Sequence, residues 1–500
     1  MNVRKLLEEN AQKSPDKPAL IFKEKEITFK QLKEDVFKLA NLLLKLGLKQ
    51  KEKIAIYLPN CPEYAYSYLA AWVLGLTVVP LDFMLTEEEV SYLLNHAEVT
   101  LLIAQSKTNC SLENIKKRCS SLKEVILASK VEGFLDVKEE LRTSFSDLPG
   151  FKVDEKDYAI IFYTSGTTGA PKGVLVNYLQ LSAPPKALEY CVDLNKDDIC
   201  LCAVPFSHLG GLVYLQSMLW FGLIVVLMER FAPLEFLKNI PKYKITSFWI
   251  VPSMYYAFLQ LKEFEELDLS SLRWIVTFGA SSSPDALRRF HRFCPQAHLL
   301  NGWGLTETNA PTTVIKMGSN KIESVGKPPP WIEVKIVDEK GKEVPQGQIG
   351  EIVVKGWVVS DGYYKNPQAT QQAFKNSYFY TGDIGRFDEE GDLYIVGRKK
   401  EMLKVGGEIV FETEVEAAIL KHPDILEAAV IGVADKLRGE VPKAYVVLRP
   451  AAKISEEDLR QFCRKHLAHF KIPHYFEFVS ELPKNRTGKV DKKTLRELNK

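Results

Sequence analysis

The sequence predicts an α/β protein: a large N-terminal domain of layered, largely parallel sheets, a β-rich subdomain closing it, and a small α+β C-terminal domain. Three observations point there. Short apolar runs alternate with longer amphipathic stretches from the N-terminus onward, which is the pattern of βαβ units. From about residue 321 the texture turns to short strands punctuated by glycine and proline. The charge run Arg398-Lys399-Lys400-Glu401 then precedes a compact α+β pattern, so a boundary is expected near residue 398, leaving roughly 100 residues for the second domain.

Taken in order, Met1 to Pro18 mixes Arg4, Lys5, Glu8, Glu9 and Lys13 with apolar residues, which reads as an amphipathic helix and not a signal peptide. Strands are expected at Ala19 to Phe22, Ile54 to Leu58, Val78 to Leu81, Leu101 to Ala104, Glu124 to Ala128, Leu201 to Val204, Ser247 to Val251 and Trp274 to Phe278. Helices are expected from Phe29, Tyr64 and Thr86. Leu209 to Met228 carries no charge over about 20 residues, the length of a membrane span. Gly222 divides it, however, and the same helix, glycine, strand pattern recurs around Gly75, so a buried helix and strand are expected at both places. Val334 to Val337, Ile349 to Lys355 and Leu393 to Val396 read as strands of the β-rich part. In the tail, Ala428 to Val433 and Ala444 to Leu448 read as strands, and Thr413-x-x-Glu416 and Ser455-x-x-Asp458 as helix starts.

At 500 residues the chain exceeds what one core serves, so at least two domains are expected. Lys plus Arg total 66 against 64 for Asp plus Glu, so no global field draws it to nucleic acid or an anionic membrane. The eight cysteines are scattered without a C-x-x-C pair, which favours reduced thiols in a cytoplasmic protein over zinc or disulfides.

Four segments carry chemistry. Tyr163-Thr-Ser-Gly-Thr-Thr-Gly-Ala-Pro-Lys-Gly173 follows an apolar run and offers N–H groups, hydroxyls and Lys172 to a polyphosphate. It is no Walker A loop, because Pro171 stands where that pattern needs glycine. Asn301-Gly-Trp-Gly-Leu-Thr-Glu307 places a carboxylate beside a hydroxyl behind a strand, a donor pair suited to magnesium; alone, such a glutamate is more often a solvated loop charge. Asp383, ending Tyr380-Thr-Gly-Asp, offers acceptors to ribose hydroxyls and Arg398 a donor, although such a turn is common. Pro483-Lys-Asn-Arg-Thr-Gly-Lys489 sets a lysine on a loop, suited to a phosphate or carboxylate oxygen; a solvated lysine is the simpler reading of that segment by itself.

Together and in this order, the four segments resemble the adenylate-forming superfamily of acyl- and aryl-CoA synthetases, luciferases and nonribosomal peptide adenylation domains, from Ile27-Thr-Phe-Lys-Gln-Leu32 to Lys489. The resemblance implies ATP, Mg2+ and coenzyme A as the small molecules used, with acyl-adenylate formation followed by transfer to a thiol. It implies an N-terminal AMP-binding domain over 1–397 (β-rich part about 321–397), a hinge at 398–401 turning on Lys400, and a mobile domain over 402–500. Phosphates are implied at Thr164, Ser165, Gly166, Thr167, Thr168, Gly169 and Lys172, the metal at Glu307 and Thr164, and the ribose at Asp383 and Arg398. Further nucleotide or coenzyme contacts are implied at Gly279, Ala280, Asn301, Gly302, Trp303, Gly304, Lys404, Gly406 and Gly407. Lys489, Glu307, Thr306 and His208 are the implied catalytic residues, Lys489 bridging the α-phosphate and the substrate carboxylate. His208 is equally well read as a packed, hydrogen-bonded histidine. Glu401 and Glu412 stand where aspartate and proline are usual, the second change being expected to alter only a helix start; Trp331 stands where glycine is frequent.

Ser207 replaces the aspartate that amino-acid-activating relatives use, and Trp249, Val251, Phe278 and Ala280 match uncharged pocket walls. An apolar acid is therefore expected, a medium- or long-chain fatty acid first and an aryl acid second. A carrier protein as acceptor and a homodimer stay open. No transmembrane segment and no nucleic-acid partner are expected.

Overall fold

The computed structural model of the protein describes residues 1–105, 108, 110–128, 134–143, 147–164, 171–261, 264, 266–279, 284–319, 321–449, 452–484 and 489–499. The alternating strands divide between two sheets, a partition the alternation alone does not reveal. One has eight strands in the order Thr313–Val314, His298–Trp303, Trp274–Thr277, Ser247–Ile250, Ile199–Cys202, Ile224–Leu227, Pro18–Phe22 and Lys25–Thr28. The other has seven, in the order Leu135–Asp136, Glu124–Leu127, Leu101–Ala104, Lys53–Tyr57, Thr77–Pro80, Tyr158–Thr164 and Lys172–Asn177. Pairing is parallel except at Lys25–Thr28, Thr313–Val314 and Lys172–Asn177, the last strand at three of the four edges.

Helices Phe29–Lys45, Pro62–Leu74 and Leu209–Phe221 share one apolar cluster with strands of both sheets. Two of them are apolar on nearly every side, as helices sandwiched between layers must be. Gly75 and Gly222 end them in the left-handed region, at φ 75° and 71°, where a side chain would be strained. Each passes directly into a strand, as the repeated pattern predicts. No helix among the described residues is long and apolar enough to cross a membrane.

A third sheet of five strands, Ile332–Val337 through Leu393–Arg398, forms the β-rich part, and a fourth begins at Met402–Val405. The fourth sheet carries helices Glu412–Ile419, Glu456–Arg464 and Lys492–Glu497 around its own core. Ser455 and Asp458 make the expected capping box. Thr413 caps nothing: its helix begins at Glu412, and the Thr413 hydroxyl donates to the Val396 carbonyl at 2.6 Å, tying this domain to the last strand of the third sheet.

Close packing at the helix start Leu209 leaves no room for a methyl group. A Cβ on Gly211 would lie 2.1 Å from the Pro205 carbonyl oxygen. Gly211→Ala is expected to lower the unfolding free energy by about 1–3 kcal/mol, read from denaturant titration.

Candidate active site

Strands Trp274–Thr277 and His298–Trp303 end side by side, and the segments beyond them build the site. Past the second strand the chain is folded back tightly. A Cβ on Gly304 would lie 2.6 Å from Ala310 Cβ, the Thr308 and Thr312 hydroxyls bond at 2.6 Å, and Asn309 Nδ2 donates to the Val358 carbonyl at 2.7 Å. This fixes the short turn Thr306–Thr308. Glu307 is half-buried there, accepting the Tyr363 hydroxyl at 2.9 Å on Oε1. Burial pushes its carboxyl up, with Tyr363, Arg398 and Lys172 pulling the other way.

Asp383 and Arg398 lie opposite one another in the ladder of the third sheet. The Asp383 carboxylate is buried, receives the Trp303 indole N–H at 2.8 Å and pairs with Arg398 Nε at 2.9 Å. Desolvation raises its pKa, opposed by Arg398 and then Trp303. Trp303, whose segment suggests a nucleotide contact, thus spends its N–H on orienting a carboxylate from another sheet. Asn301 is engaged likewise, accepting from the Thr277 hydroxyl at 3.3 Å and donating to the Ser324 carbonyl at 3.2 Å.

Thr164 and Lys172 face each other across the antiparallel pair that flanks the hydroxyl-rich loop. Ser165, Gly166, Thr167, Thr168, Gly169 and Ala280 lie outside the described residues. Lys172 Nζ stands 5.1 Å from the Tyr363 ring centre, and Tyr364 N–H donates to the Gly173 carbonyl at 2.7 Å. The segment that holds Glu307 is therefore laced to the strand that carries Lys172.

Lys489 arrives from the C-terminal domain. A Cβ on Gly279, φ 88°, would lie 3.4 Å from Lys489 Cε and 3.6 Å from Nζ, so the lysine lies along the backbone just past strand Trp274–Thr277. Burial lowers its pKa to about 8; Arg398 adds to the lowering and Asp383 opposes it. Next to Gly279, the Phe278 ring presses on Gly210, whose Cβ would come within 2.8 Å of it. Trp249 is buried, donates its indole N–H to the Gly210 carbonyl at 2.8 Å and stacks on Tyr214 at 3.6 Å. An uncharged aromatic wall therefore runs up to Lys489. His208, two residues before Gly210, has Nε2 3.2 Å from Asp82 Oδ2, a hydrogen-bonded histidine whose side chain is still 34% exposed.

The structure brings together Lys172, Glu307, Asp383, Arg398 and Lys489. Lys404, Gly406 and Gly407 instead sit in and beside the exposed turn between Met402–Val405 and Glu408–Phe411, where a Cβ on either glycine would meet nothing within 4 Å. Glu412 departs further from expectation: it is 1% exposed, and it pairs with Arg496 at 2.8 Å and Lys492 at 2.9 Å. Its role extends beyond starting a helix. Tyr363 and Asp82 escape sequence reasoning. Asp82 has a weak signal, lying just beyond the end of a parallel strand; Tyr363 has none. Among the described residues no three His, Cys, Asp or Glu side chains converge as a metal cage. One carboxylate with hydroxyls suits magnesium, which is commonly completed by substrate phosphates.

The profile of the AMP-binding enzyme family matches residues 7–364, and that of the AMP-binding enzyme C-terminal domain matches 414–489. The chain belongs to the AMP-binding enzyme family. Similar proteins include a long-chain-fatty-acid–CoA ligase of Bacillus subtilis, 33% identical over 99% of this chain and 94% of that one. A 2-succinylbenzoate–CoA ligase of Bacillus licheniformis is 34% identical over 97% of both. The crystal structure of the anthranilate CoA ligase AuaEII with anthranoyl-AMP superposes with a TM-score of 0.94 at 28% identity, covering 100% of this chain and 97% of that one. This AMP-binding enzyme is an acid–thiol ligase that forms an acyl-adenylate from ATP and passes the acyl group to coenzyme A.

Trp303→Phe keeps the ring and removes the N–H from buried Asp383. Unfolding free energy is expected to fall by about 1–3 kcal/mol, measured by denaturant titration.

Proposed function

We propose that Lys172, Glu307, Asp383, Arg398 and Lys489 surround one ATP, and that the enzyme uses them to activate an acid with an uncharged body. The contact of Lys489 with Gly279, beside Asp383 and Arg398, carries the proposal. In the first step a carboxylate oxygen bonds to the α-phosphorus, and the bond from that phosphorus to its bridging oxygen breaks, releasing pyrophosphate with the electron pair. The acid is already ionised at neutral pH, so no general base is needed. The difficulty is charge: two anions must meet. Lys489, placed between the aromatic wall and the ribose-facing pair, draws both oxygens together in a site poor in water. Lys172 takes the outer phosphates, and Asp383 with Arg398 orients the sugar. Glu307 and Thr164 would hold magnesium together with substrate phosphates, and the ion would supply neutralising charge to the pyrophosphate. Tyr363 keeps the Glu307 carboxylate aimed.

In the second step the coenzyme sulfur attacks the acyl carbon and AMP leaves, the thiol proton passing to solvent. We place the division of labour at residues 1–397 and 402–500, with 398–401 as the hinge. The exposed Gly406 and Gly407 turn is the element a rotation about Lys400 brings to the pantetheine arm. Uncharged Trp249 and Phe278 support an apolar acid, and the bonding and stacking that pin Trp249 support a shallow pocket. A medium-chain fatty acid is the first candidate and an aryl acid the second.

Pyrophosphate release with a panel of acids, with and without coenzyme A, tests the assignment: octanoate and benzoate-type acids are expected to exceed palmitate, and Trp249→Ala to reverse that order. Silence across the panel removes the proposal; an amino acid as best substrate removes the apolar pocket. Lys489→Ala is expected to cut pyrophosphate release by about a hundredfold or more while sparing thioester formation from supplied acyl-adenylate. Because Lys489 titrates near 8 and acts as the ammonium, kcat/KM for the first step is expected to fall as pH rises past about 8, well below the ordinary lysine value of about 10.4.

A further inference from the structure

A second cluster of charge lies outside the nucleotide site, at the root of the Lys489 segment. Lys492 Nζ is 2.7 Å from Glu416, 2.9 Å from Glu412 and 3.6 Å from Glu401. Arg496 Nη2 reaches both Glu412 oxygens, at 2.8 and 2.9 Å. Backbone N–H groups of Val430 and Gly432 donate to Glu416 and Glu412 at 2.8 and 3.3 Å. Burial works against the charge on Lys492, but Glu416, Glu412 and Glu401 more than offset it.

These contacts join three distant pieces of chain. Glu401 belongs to the short turn Lys399–Glu401, Glu412 and Glu416 to helix Glu412–Ile419, and Lys492 and Arg496 to helix Lys492–Glu497. Lys489 precedes Lys492 by three residues, a span of about 10 Å at full extension. The segment between has little slack: Lys484 bridges to Val490, Asp491 N–H donates to the Pro483 carbonyl at 2.7 Å, and Asp491 caps the last helix. A shift of Lys492 is therefore transmitted to Lys489.

We infer that Glu401, Glu412 and Lys492 form a strap that fixes the Lys489 segment relative to the turn at 399–401, making them positioning residues for the adenylation step although they touch no substrate. The inference rests on the adenylation role proposed for Lys489. A paired carboxylate and ammonium suit such a joint, because leaving either partner buried alone is costly and the pairing tolerates few geometries.

The test uses the full chain with Glu401→Gln, Glu401→Asp and Glu412→Gln, beside Lys489→Ala, measuring pyrophosphate release without coenzyme A, thioester formation from supplied acyl-adenylate, and thermal unfolding. Glu401→Gln is expected to lower kcat for pyrophosphate release about tenfold with KM for ATP unchanged and the thioester step lowered distinctly less, Glu401→Asp to restore much of the loss, and Glu412→Gln to act in the same direction more strongly. Should Glu412→Gln fail to fold, the half-buried Glu401 pair decides. Equal loss in both half-reactions, or no loss in either while Lys489→Ala is impaired, overturns the strap. An unimpaired Lys489→Ala overturns the adenylation role itself.

Discussion

The arrangement depends on the buried carboxylate of Asp383. Removing a carboxylate from water is costly unless its charge is met, and here it is met from two directions, by the Trp303 indole of the first sheet and the Arg398 guanidinium of the third. That double demand fixes the β-rich part against the ends of the parallel strands. It also places Arg398 immediately before the turn at Lys399–Glu401, so the chain leaves for the C-terminal domain from the site itself.

Three cationic side chains stand around this carboxylate and Glu307. Lys172, Arg398 and Lys489 face only Glu307 and Asp383 among the site residues, and the lowered pKa of Lys489 reflects its burial and the neighbouring guanidinium. A polyanion with its magnesium is the natural complement of such a field. The aromatic wall of Phe278, Trp249 and Tyr214 gives the opposite face an apolar lining, so charge and hydrophobe meet along one line at Gly279.

Much of this was legible in the sequence. The helix, glycine, strand repeats at Gly75 and Gly222 gave the buried helices correctly, and the shift in texture near residue 321 marked the β-rich part. The order of strands was not legible, because apolar runs buried on both faces look alike whichever sheet they join. Candidate site residues within contiguous motifs could be named from the sequence, while partners supplied from elsewhere could not: Tyr363 meets Glu307 and Asp82 meets His208 only through tertiary folding. Thr413 and Glu412 show local pattern overridden, one hydroxyl drawn to a carbonyl of another domain and one carboxylate drawn inward by two cations. The hydroxyl-rich loop at 165–170, the clearest motif in the chain, lies outside the described residues.

Where the C-terminal domain rests on the last strand of the third sheet, the fit turns on a missing side chain. A Cβ on Gly397 would stand 2.9 Å from Thr413 Oγ1 and 3.0 Å from Phe411 Cδ1, and Phe411 is only 8% exposed. Lifting the domain away wets that ring, at about 1.5–3 kcal/mol for a side chain of this size, and strips the Val396 carbonyl of its donor. If the domain turns about 398–401 as proposed, a second seat would have to shelter that ring as well, which favours a few discrete dockings over a continuum of loose ones.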